Sequence, residues 1–313
     1  MRILVTGVSG FVGRFLAASL IAQGHELWGL DLNLEATPDG VHSAEWDLTQ
    51  TEGLADLLAQ IHPEAVAHLA AQASPAAALA DPAATFDINV GGSFNLFEAM
   101  RSAIPEARLL FISSSEVYGP SDHPHLEDET PAPTGPYGAS KATAEIWALQ
   151  AWRAWKQPVI VARSFPHSGP GQRPDFALPA FARQIARVEA GLQDPVIRVG
   201  NLEARRDWLA VEDVVDVYLG LIERGQPGEI YNVCSGIDHS VREALDYLVG
   251  RAKIRTRIEI DPALLRPVDL PRLSGDAGKL RNSLNWEPKI DFAAMLDGLL
   301  AYWRDRVNEE ELR

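Results

Sequence analysis

The chain has little cysteine, a deficit of basic residues and no long apolar run. Cys234 is the one cysteine among 313 residues, so no intrachain disulfide can form, which is typical of a reducing compartment. Lys and Arg number 28 against 43 Asp and Glu. The formal charge of −15 disfavours nucleic acids and anionic membranes as partners. No run reaches the roughly 18 apolar residues of a membrane span.

What is present fits a globular protein that works inside the cell. Apolar residues make up 46% of the chain, which is ample for a buried core. The sequence opens directly on a short apolar segment without the pattern of a signal peptide. We therefore predict a soluble, cytoplasmic protein with no membrane contact.

The N-terminus predicts a dinucleotide-binding turn. Residues 2–6 form a short apolar strand pattern, and Gly7, Gly10 and Gly13 follow at intervals of three. Residues 11–22 then have the apolar spacing of an amphipathic helix. At a strand–glycine turn–helix junction, backbone N–H groups and the helix dipole can meet a pyrophosphate. The alternative is an ordinary glycine-rich turn between a strand and a helix.

An acidic residue follows at the distance that this motif requires. Residues 25–30 read as a second strand, and Asp31 closes it, about 20 residues beyond the glycines. A carboxylate at this position can bind the two hydroxyls of the adenosine ribose and repels a 2′-phosphate. The sequence therefore favours NAD, while the nearby Arg14 and Asn33 keep NADP open as an alternative.

A tyrosine–lysine pair indicates acid–base chemistry. Tyr137 and Lys141 are four residues apart, so both project from one face of a helix. An ammonium beside a phenol is expected to lower the pKa of the tyrosine toward neutrality. Such a tyrosine can exchange a proton with a sugar hydroxyl or carbonyl. The pair alone is a weak signal, and it gains weight from the glycine turn.

The order of strand and helix patterns predicts the fold. Strands and helices alternate up to Phe165, which is typical of an α/β, Rossmann-type doubly wound parallel sheet. We assign residues 1–165 plus 205–236 to this NAD(P)-binding domain. Residues 166–204 plus 237–313 are predicted to form a smaller, discontinuous α/β C-terminal substrate lobe. The cleft between the two is the expected ligand site.

Taken together, these motifs resemble an extended short-chain dehydrogenase/reductase that acts on nucleotide sugars. The resemblance covers nearly the whole chain and rests on the three glycines, Asp31, residues 113–119 and the Tyr137–Lys141 pair. Segments of the C-terminal half are similar to the GDP-mannose branch of that family: 200–208, 231–236 and 265–267. That branch contains the GDP-mannose 4,6-dehydratases and the reductases of their product. The chain length, and residues 169–172 with the following helix, are more similar to the reductases.

The resemblance also implies roles for individual residues. The implied catalytic residues are Ser114, Tyr137, Lys141 and Glu116. The implied cofactor ligands are Gly7, Gly10, Phe11, Val12, Gly13, Asp31, Asp47, Leu48, Ala70, Gln72, Tyr137 and Lys141. The implied substrate ligands are Ser115, Arg183, Arg206 and Arg266, whose guanidinium forks suit a diphosphate. No metal site is expected, because His123, His125 and His167 lack ligand spacing.

Two residues depart from the family pattern or leave the reaction open. Pro166 stands where the family usually has an asparagine, so a side-chain amide and a backbone donor are missing. Glu116 follows Ser114 and Ser115 as in a dehydratase, where the glutamate serves the elimination of water. The local motif therefore does not separate reduction from dehydration.

The function implied by the resemblance is NAD(P)H-dependent reduction of the C4 ketone of GDP-4-keto-6-deoxy-D-mannose to GDP-D-rhamnose. The alternatives are a GDP-mannose 4,6-dehydratase, a 4-epimerase of another nucleotide sugar, or a non-catalytic NAD-binding protein. The expected partner is a nucleotide-diphosphate sugar, although the arginines explain a diphosphate and not guanine. A homodimer is also implied, since members of the family commonly pair through the helices that flank the sheet.

Overall fold

The computed structural model describes residues 1–265 and 269–311. The strands are β1 (Arg2–Thr6), β2 (Glu26–Asp31), β3 (His42–Glu45), β4 (Ala65–His68), β5 (Arg108–Ser114), β6 (Val159–Ser164), β7 (His167–Ser168), β8 (Val196–Val199), β9 (Arg205–Asp207), β10 (Leu209–Ala210), β11 (Ile230–Val233), β12 (Asp238–Ser240), β13 (Arg257–Ile260) and β14 (Arg272–Leu273). The α-helices are α1 (Phe11–Ala22), α2 (Leu54–Ile61), α3 (Pro75–Ala80), α4 (Pro82–Phe86), α5 (Ser93–Ala103), α6 (Pro136–Trp155), α7 (Ala177–Glu189), α8 (Val211–Arg224), α9 (Val241–Gly250), α10 (Gly278–Leu284) and α11 (Phe292–Glu311). A π-helical segment covers Asp87–Gly92, and 3₁₀ turns cover Ser115–Val117 and Pro262–Leu264.

The main sheet has seven strands in the order β11-β6-β5-β4-β1-β2-β3, and every pairing in it is parallel. The chain winds outward from β1 to β3 and then returns to start the other half at β4. This reversal creates a crevice between β1 and β4 at their carboxyl ends, where open α/β sheets bind ligands. The predicted doubly wound α/β fold is confirmed.

Helices cover both faces of the sheet because its central strands are apolar on both sides. Ile3 and Val5 of β1 face the cluster formed with α1 and α8, whereas Leu4 faces the cluster formed with α2, α5 and α6. All three side chains are fully buried. Removing each from water stabilises the fold by about 1.5–3 kcal/mol.

The smaller lobe is built on three short sheets and three helices. The sheets are β12-β9-β14, β13-β8 and β10-β7. Helices α7, α9 and α11 supply its apolar core. No helix within residues 1–265 and 269–311 combines the length and apolar content needed to cross a bilayer.

Strand pairing and apolar packing differ from the predicted domain bounds at two places. Strand β11 pairs with β6 of the main sheet, but β9 pairs with β12 and β14 of the lobe. Residues 205–207, which are predicted to lie in the dinucleotide-binding domain, therefore pair with strands outside the main sheet. Leu280 and Leu284 of α10 lie in the same apolar cluster as α1 and α8, so this helix belongs to the main domain.

Candidate active site

The Tyr137 side chain meets Ser114 at the carboxyl end of the sheet. Ser114 ends β5, and Tyr137 lies in the first turn of α6. The phenol hydroxyl and the Ser114 hydroxyl form a hydrogen bond. Ser114 Oγ also accepts a hydrogen bond from the Glu116 backbone N–H at 3.1 Å. The structure thus brings together two of the predicted catalytic residues, Tyr137 and Ser114.

A glycine allows the helix to approach this turn so closely. A Cβ on Gly138 would lie 2.1 Å from the Glu116 carbonyl oxygen, far inside van der Waals contact. The first turn of α6 therefore packs directly on the Ser115–Val117 turn, which brings Tyr137 within reach of Ser114. Glu116 is half-buried and lines the same cleft as Tyr137.

Burial shifts the pKa of both Tyr137 and Lys141, and for Tyr137 the direction differs from the prediction. Burial raises the pKa of Tyr137 to about 12, against the lowering effect of its hydrogen bond to Ser114. The expected lowering of the tyrosine pKa toward neutrality is wrong in this geometry, because desolvation raises the pKa and the Glu116 carboxylate raises it further. Burial lowers the pKa of Lys141 to about 8, and the Glu145 carboxylate opposes that change. At neutral pH the site holds a protonated phenol beside a charged lysine.

The glycine turn fits a dinucleotide pyrophosphate. Gly10 precedes the first residue of α1 and offers no side-chain cap to the helix. The N–H groups of the first turn, from Phe11 to Gly13, are therefore available to an anionic ligand. Ala70, two residues after β4, lies against the turn: a Cβ on Gly7 would be 2.8 Å from its backbone nitrogen. The turn sits in the crevice between β1 and β4.

The residues predicted to bind the adenosine half of the cofactor lie at the carboxyl ends of β2 and β3 or just after them. Asp31 accepts hydrogen bonds from the backbone N–H of Ser9, at 2.9 Å, and of Leu32, at 2.8 Å. Asp47 follows β3, where it accepts two hydrogen bonds from Thr49. Leu48 is half-buried between this loop and Gly92. Their contacts with adenosine stay predictions.

Gln72, which is predicted to contact the cofactor, lies in a turn after β4. Its side chain closes a turn with Ser74, donating to the Ser74 carbonyl at 3.0 Å and accepting from the Ser74 N–H at 2.6 Å. The Gln72 backbone is held by Asn89, whose amide also donates to Ser140 at 2.9 Å. The sequence analysis missed this buried asparagine. A signal was available, since Asn89 precedes two glycines inside an otherwise regular helix pattern.

A cleft opens beside Tyr137 toward the smaller lobe. Glu116 and Tyr137 line one side, and Asp269 and Leu270 line the other. Arg206 stands behind that second wall, donating to the Leu270 carbonyl at 2.7 Å and to the Asp269 carboxylate at 2.6 Å. The guanidinium is therefore held at the cleft margin by an acidic side chain. The sequence analysis did not identify Asp269 as its partner.

The remaining predicted substrate residues have three different outcomes. Arg183 lies over the Trp303 ring at 5.7 Å, so it packs between α7 and α11 of the lobe. Ser115 is buried, with 1% of its surface exposed. Arg266 lies outside the described residues. Of the predicted arginines, Arg206 is the one that the described structure places at the cleft.

The departure at Pro166 is accommodated within the backbone. The Pro166 carbonyl accepts a hydrogen bond from the Leu209 N–H at 3.0 Å. The next residue, His167, stacks on Phe11 with ring centroids 6.2 Å apart, and its Nδ1–H donates to the Phe165 carbonyl at 2.9 Å. His167 thus lies beside the glycine turn, which the sequence analysis did not predict. Within the described ranges, no three His, Cys, Asp or Glu side chains form a candidate metal cluster.

Comparison with known proteins identifies the family. The family model for GDP-mannose 4,6 dehydratase matches residues 4–299. The chain is 39% identical to a GDP-6-deoxy-D-mannose reductase of Pseudomonas aeruginosa, with 99% of each protein covered. It is 30% identical to GDP-mannose 4,6 dehydratase 1 of Arabidopsis thaliana, over 94% of this chain and 87% of the relative. The structure of RMD from Pseudomonas aeruginosa complexed with NADPH superposes with a TM-score of 0.86 at 36% identity, covering 97% of this chain and 99% of that one. The resemblance inferred from the motifs is confirmed, and the chain belongs to the GDP-mannose 4,6 dehydratase family.

Proposed function

We propose that the protein reduces the C4 ketone of GDP-4-keto-6-deoxy-D-mannose, with NADPH or NADH as the reductant, to give GDP-D-rhamnose. The observation that supports this proposal is the contact of Tyr137, which lines the cleft, with Ser114 at the carboxyl end of β5, and Lys141 lies four residues further along α6. The 39% identity to a GDP-6-deoxy-D-mannose reductase over the full length supports the same choice.

The protonation states of the site suit reduction. Because burial raises the pKa of Tyr137 to about 12, the phenol keeps the proton that a ketone oxygen must receive. Ser114 is placed to donate a hydrogen bond to that oxygen, and the Lys141 ammonium stabilises the phenolate left behind. When bound, the reduced nicotinamide supplies the hydride to the sugar carbon.

Two parallel incubations test the proposal. One contains GDP-4-keto-6-deoxymannose with NADPH or NADH, and the other contains GDP-mannose with NAD. We expect a gain of two hydrogens on the ketone by mass spectrometry, matched by an equal loss of reduced cofactor in absorbance. A ketone that stays unreduced with either cofactor contradicts the proposal.

A second candidate is dehydration of GDP-mannose, and Glu116 favours it. This carboxylate lines the cleft next to Tyr137, where it could take a proton from the sugar during the elimination of water. The second incubation distinguishes the two reactions. Loss of water from GDP-mannose without net formation of NADH would assign the dehydratase reaction and give Glu116 a catalytic role.

Asp31 is expected to control the choice between the two cofactors. Its carboxylate lies at the end of β2 and repels a 2′-phosphate. We predict that Asp31→Ala raises the ratio of kcat/KM for NADPH to kcat/KM for NADH by about tenfold, since loss of one like-charge contact changes binding by about 1.4 kcal/mol. The matched control is Asp39→Ala, which removes an exposed acid from the loop between β2 and β3 and should leave the ratio unaltered. An equal ratio in both variants contradicts the assignment of Asp31.

Arg206 is expected to bind the substrate diphosphate in place of its present partner. A charge-assisted hydrogen bond contributes about 1.5–3 kcal/mol, so Arg206→Gln should raise KM for the nucleotide sugar by about tenfold to a hundredfold. KM for the reduced cofactor should stay constant. Arg205→Gln is the control, because Arg205 pairs with Asp238 and Glu243 on the other side of β9. Equal KM changes in the two variants would remove Arg206 from the substrate site.

We also propose a cytoplasmic homodimer. Several apolar side chains on α4, α5, α6 and the π-helical segment are exposed: Phe86, Ile88, Phe94, Ile146 and Trp147. Phe94 and Trp147 contact each other with ring centroids at 5.0 Å, and α4, α5 and the π-helical segment all pack against α6. Ile146→Glu should shift the molar mass in light scattering to that of a monomer. Ile254→Glu, which changes an exposed isoleucine in the lobe, should leave the mass unchanged.

A further inference from the structure

A third side chain continues the Tyr137–Lys141 face of α6 into the interior. Glu145 lies four residues after Lys141, so the spacing that aligns Tyr137 with Lys141 is repeated. Glu145 is buried, with 1% of its surface exposed. A carboxylate so far from water is stable as an anion only when other groups neutralise it and donate hydrogen bonds to it.

Two neighbouring strands supply those donors. Arg163 of β6 donates to both carboxylate oxygens of Glu145, with Nη2 at 2.6 Å from Oε1 and Nε at 3.2 Å from Oε2. Ser113 of β5 donates from its hydroxyl to Oε2 at 2.6 Å. Ser113 and Arg163 stand opposite each other in the β5–β6 register, and Ser113 immediately precedes Ser114. One carboxylate thus ties the helix of Tyr137 and Lys141 to the strand of Ser114.

The same arrangement places two cations and one anion in a region of low dielectric. Arg163 is as buried as Glu145, with 2% of each side chain exposed. The Lys141 ammonium lies 5.1 Å from the centre of the Phe111 ring and is itself buried. Burial disfavours the ammonium, while the Glu145 carboxylate favours it. The charge of Lys141 therefore depends on an anion that Arg163 also shares.

The other titratable groups on the elements that pack against Lys141 do not take over this role. His68 of β4 is neutral, because burial and the Lys141 charge lower its pKa to about 3. It is held by Thr6 and Ser93. Glu116 acts on Tyr137, which stays protonated. On the helical segments that pack against α6, the charged side chains are partly or fully exposed: Asp87, Glu98 and Arg101.

We propose that Glu145, oriented by Arg163 and Ser113, is a positioning residue that keeps Lys141 charged for cofactor binding and proton transfer. The role in proton transfer rests on the proposed reduction. Arg163 sets how strongly the carboxylate acts on Lys141, so the two members of the ion pair have opposite effects on the lysine. A purely structural ion pair would give no such opposition.

The test is the pH dependence of turnover and of NADPH affinity. Activity requires charged Lys141, so kcat/KM should fall as the pH rises through the lysine's titration. Glu145→Gln should move this alkaline limb to lower pH by about 1 unit, because an opposite charge is lost. Arg163→Gln should move it to higher pH, because Ser113 and the introduced amide still donate to the carboxylate and Lys141 becomes the cation that neutralises it. The double variant should return the limb toward the wild-type position. The proposal is overturned if the alkaline limb moves in the same direction in both single variants, or if it moves in neither.

Two further measurements keep the result interpretable. The dissociation constant of NADPH, followed by fluorescence against pH, should show the same displacements whether or not the ketone is the substrate. If the pH dependence of NADPH binding is displaced but no turnover is seen, the role of Glu145 is upheld and the proposed function is rejected.

Glu189→Gln is the matched control, because both carboxylate oxygens of Glu189 accept hydrogen bonds from Arg304 in the lobe. Its alkaline limb should coincide with that of the wild type. If Glu145→Gln does not fold, the test rests on the alkaline limb of Arg163→Gln. A limb at the wild-type pH in that variant overturns the proposal.

Discussion

Tyr137→Phe should lower turnover by about 10²–10⁴-fold, the usual contribution of general acid catalysis, without weakening cofactor binding. The substitution removes the hydroxyl that is hydrogen-bonded to Ser114 and keeps the ring that packs in the first turn of α6. The ketone oxygen then has no proton donor at this point. The measurements are the steady-state rate of NADPH oxidation with the ketone and the dissociation constant of NADPH.

A second tyrosine provides the control. The Tyr247 hydroxyl donates to Asp297 on α11 of the lobe, at 3.0 Å. Tyr247→Phe removes the same atom from the protein and should leave turnover at the wild-type level. If Tyr137→Phe also retained the full rate, another group would be the proton donor and the catalytic assignment would be wrong.

Gly13→Ala should weaken cofactor binding strongly. A Cβ at this position would lie 2.1 Å from the Gly7 carbonyl oxygen and 2.8 Å from that of Val8. Both are backbone atoms of the turn, so the clash can be relieved only by moving the helix away from it. The N–H groups that are predicted to receive the pyrophosphate would move with the helix. We expect the dissociation constant of NADPH to rise by about a hundredfold or more, equivalent to about 2.7 kcal/mol of lost charge-assisted hydrogen bonds.

The control for this substitution is a glycine with room for a methyl group. A Cβ on Gly298, in α11, would meet no atom within 4 Å. Gly298→Ala should leave cofactor affinity unchanged and stabilise the fold by about 0.5–1 kcal/mol, because alanine favours the helix. Thermal melting checks both variants. Wild-type NADPH affinity in Gly13→Ala would contradict the predicted role of the turn.

The parts of the site that the sequence predicted are those whose residues are close together in the chain. The glycine turn spans residues 7–13, and the tyrosine–lysine pair spans residues 137–141. Backbone geometry alone then fixes which side chains share a face or a turn. The doubly wound sheet was predictable for a similar reason, since the alternation of strand and helix patterns leaves few ways to connect a parallel sheet.

The parts that were missed depend on residues far apart in the chain. Arg206 and Asp269 are separated by 63 positions, and their contact exists only because the segment before β14 returns beside β9. The pKa of Tyr137 was predicted in the wrong direction for a related reason. Spacing indicates which charge lies nearby, but the amount of water removed from the phenol is a property of the packed site.

The sequence by itself determined the fold class, the dinucleotide turn and the tyrosine–lysine pair, because local backbone geometry and apolar periodicity dictate them. Tertiary structure decided which lobe β9 joins, how Arg206 is held and which anion faces Lys141. Those outcomes depend on long-range pairing and on desolvation, and neither is encoded in the spacing of residues along the chain. Glu145 illustrates the division. Its place on the face of α6 follows from the sequence, but its charge and its effect on Lys141 follow from burial against Arg163 and Ser113.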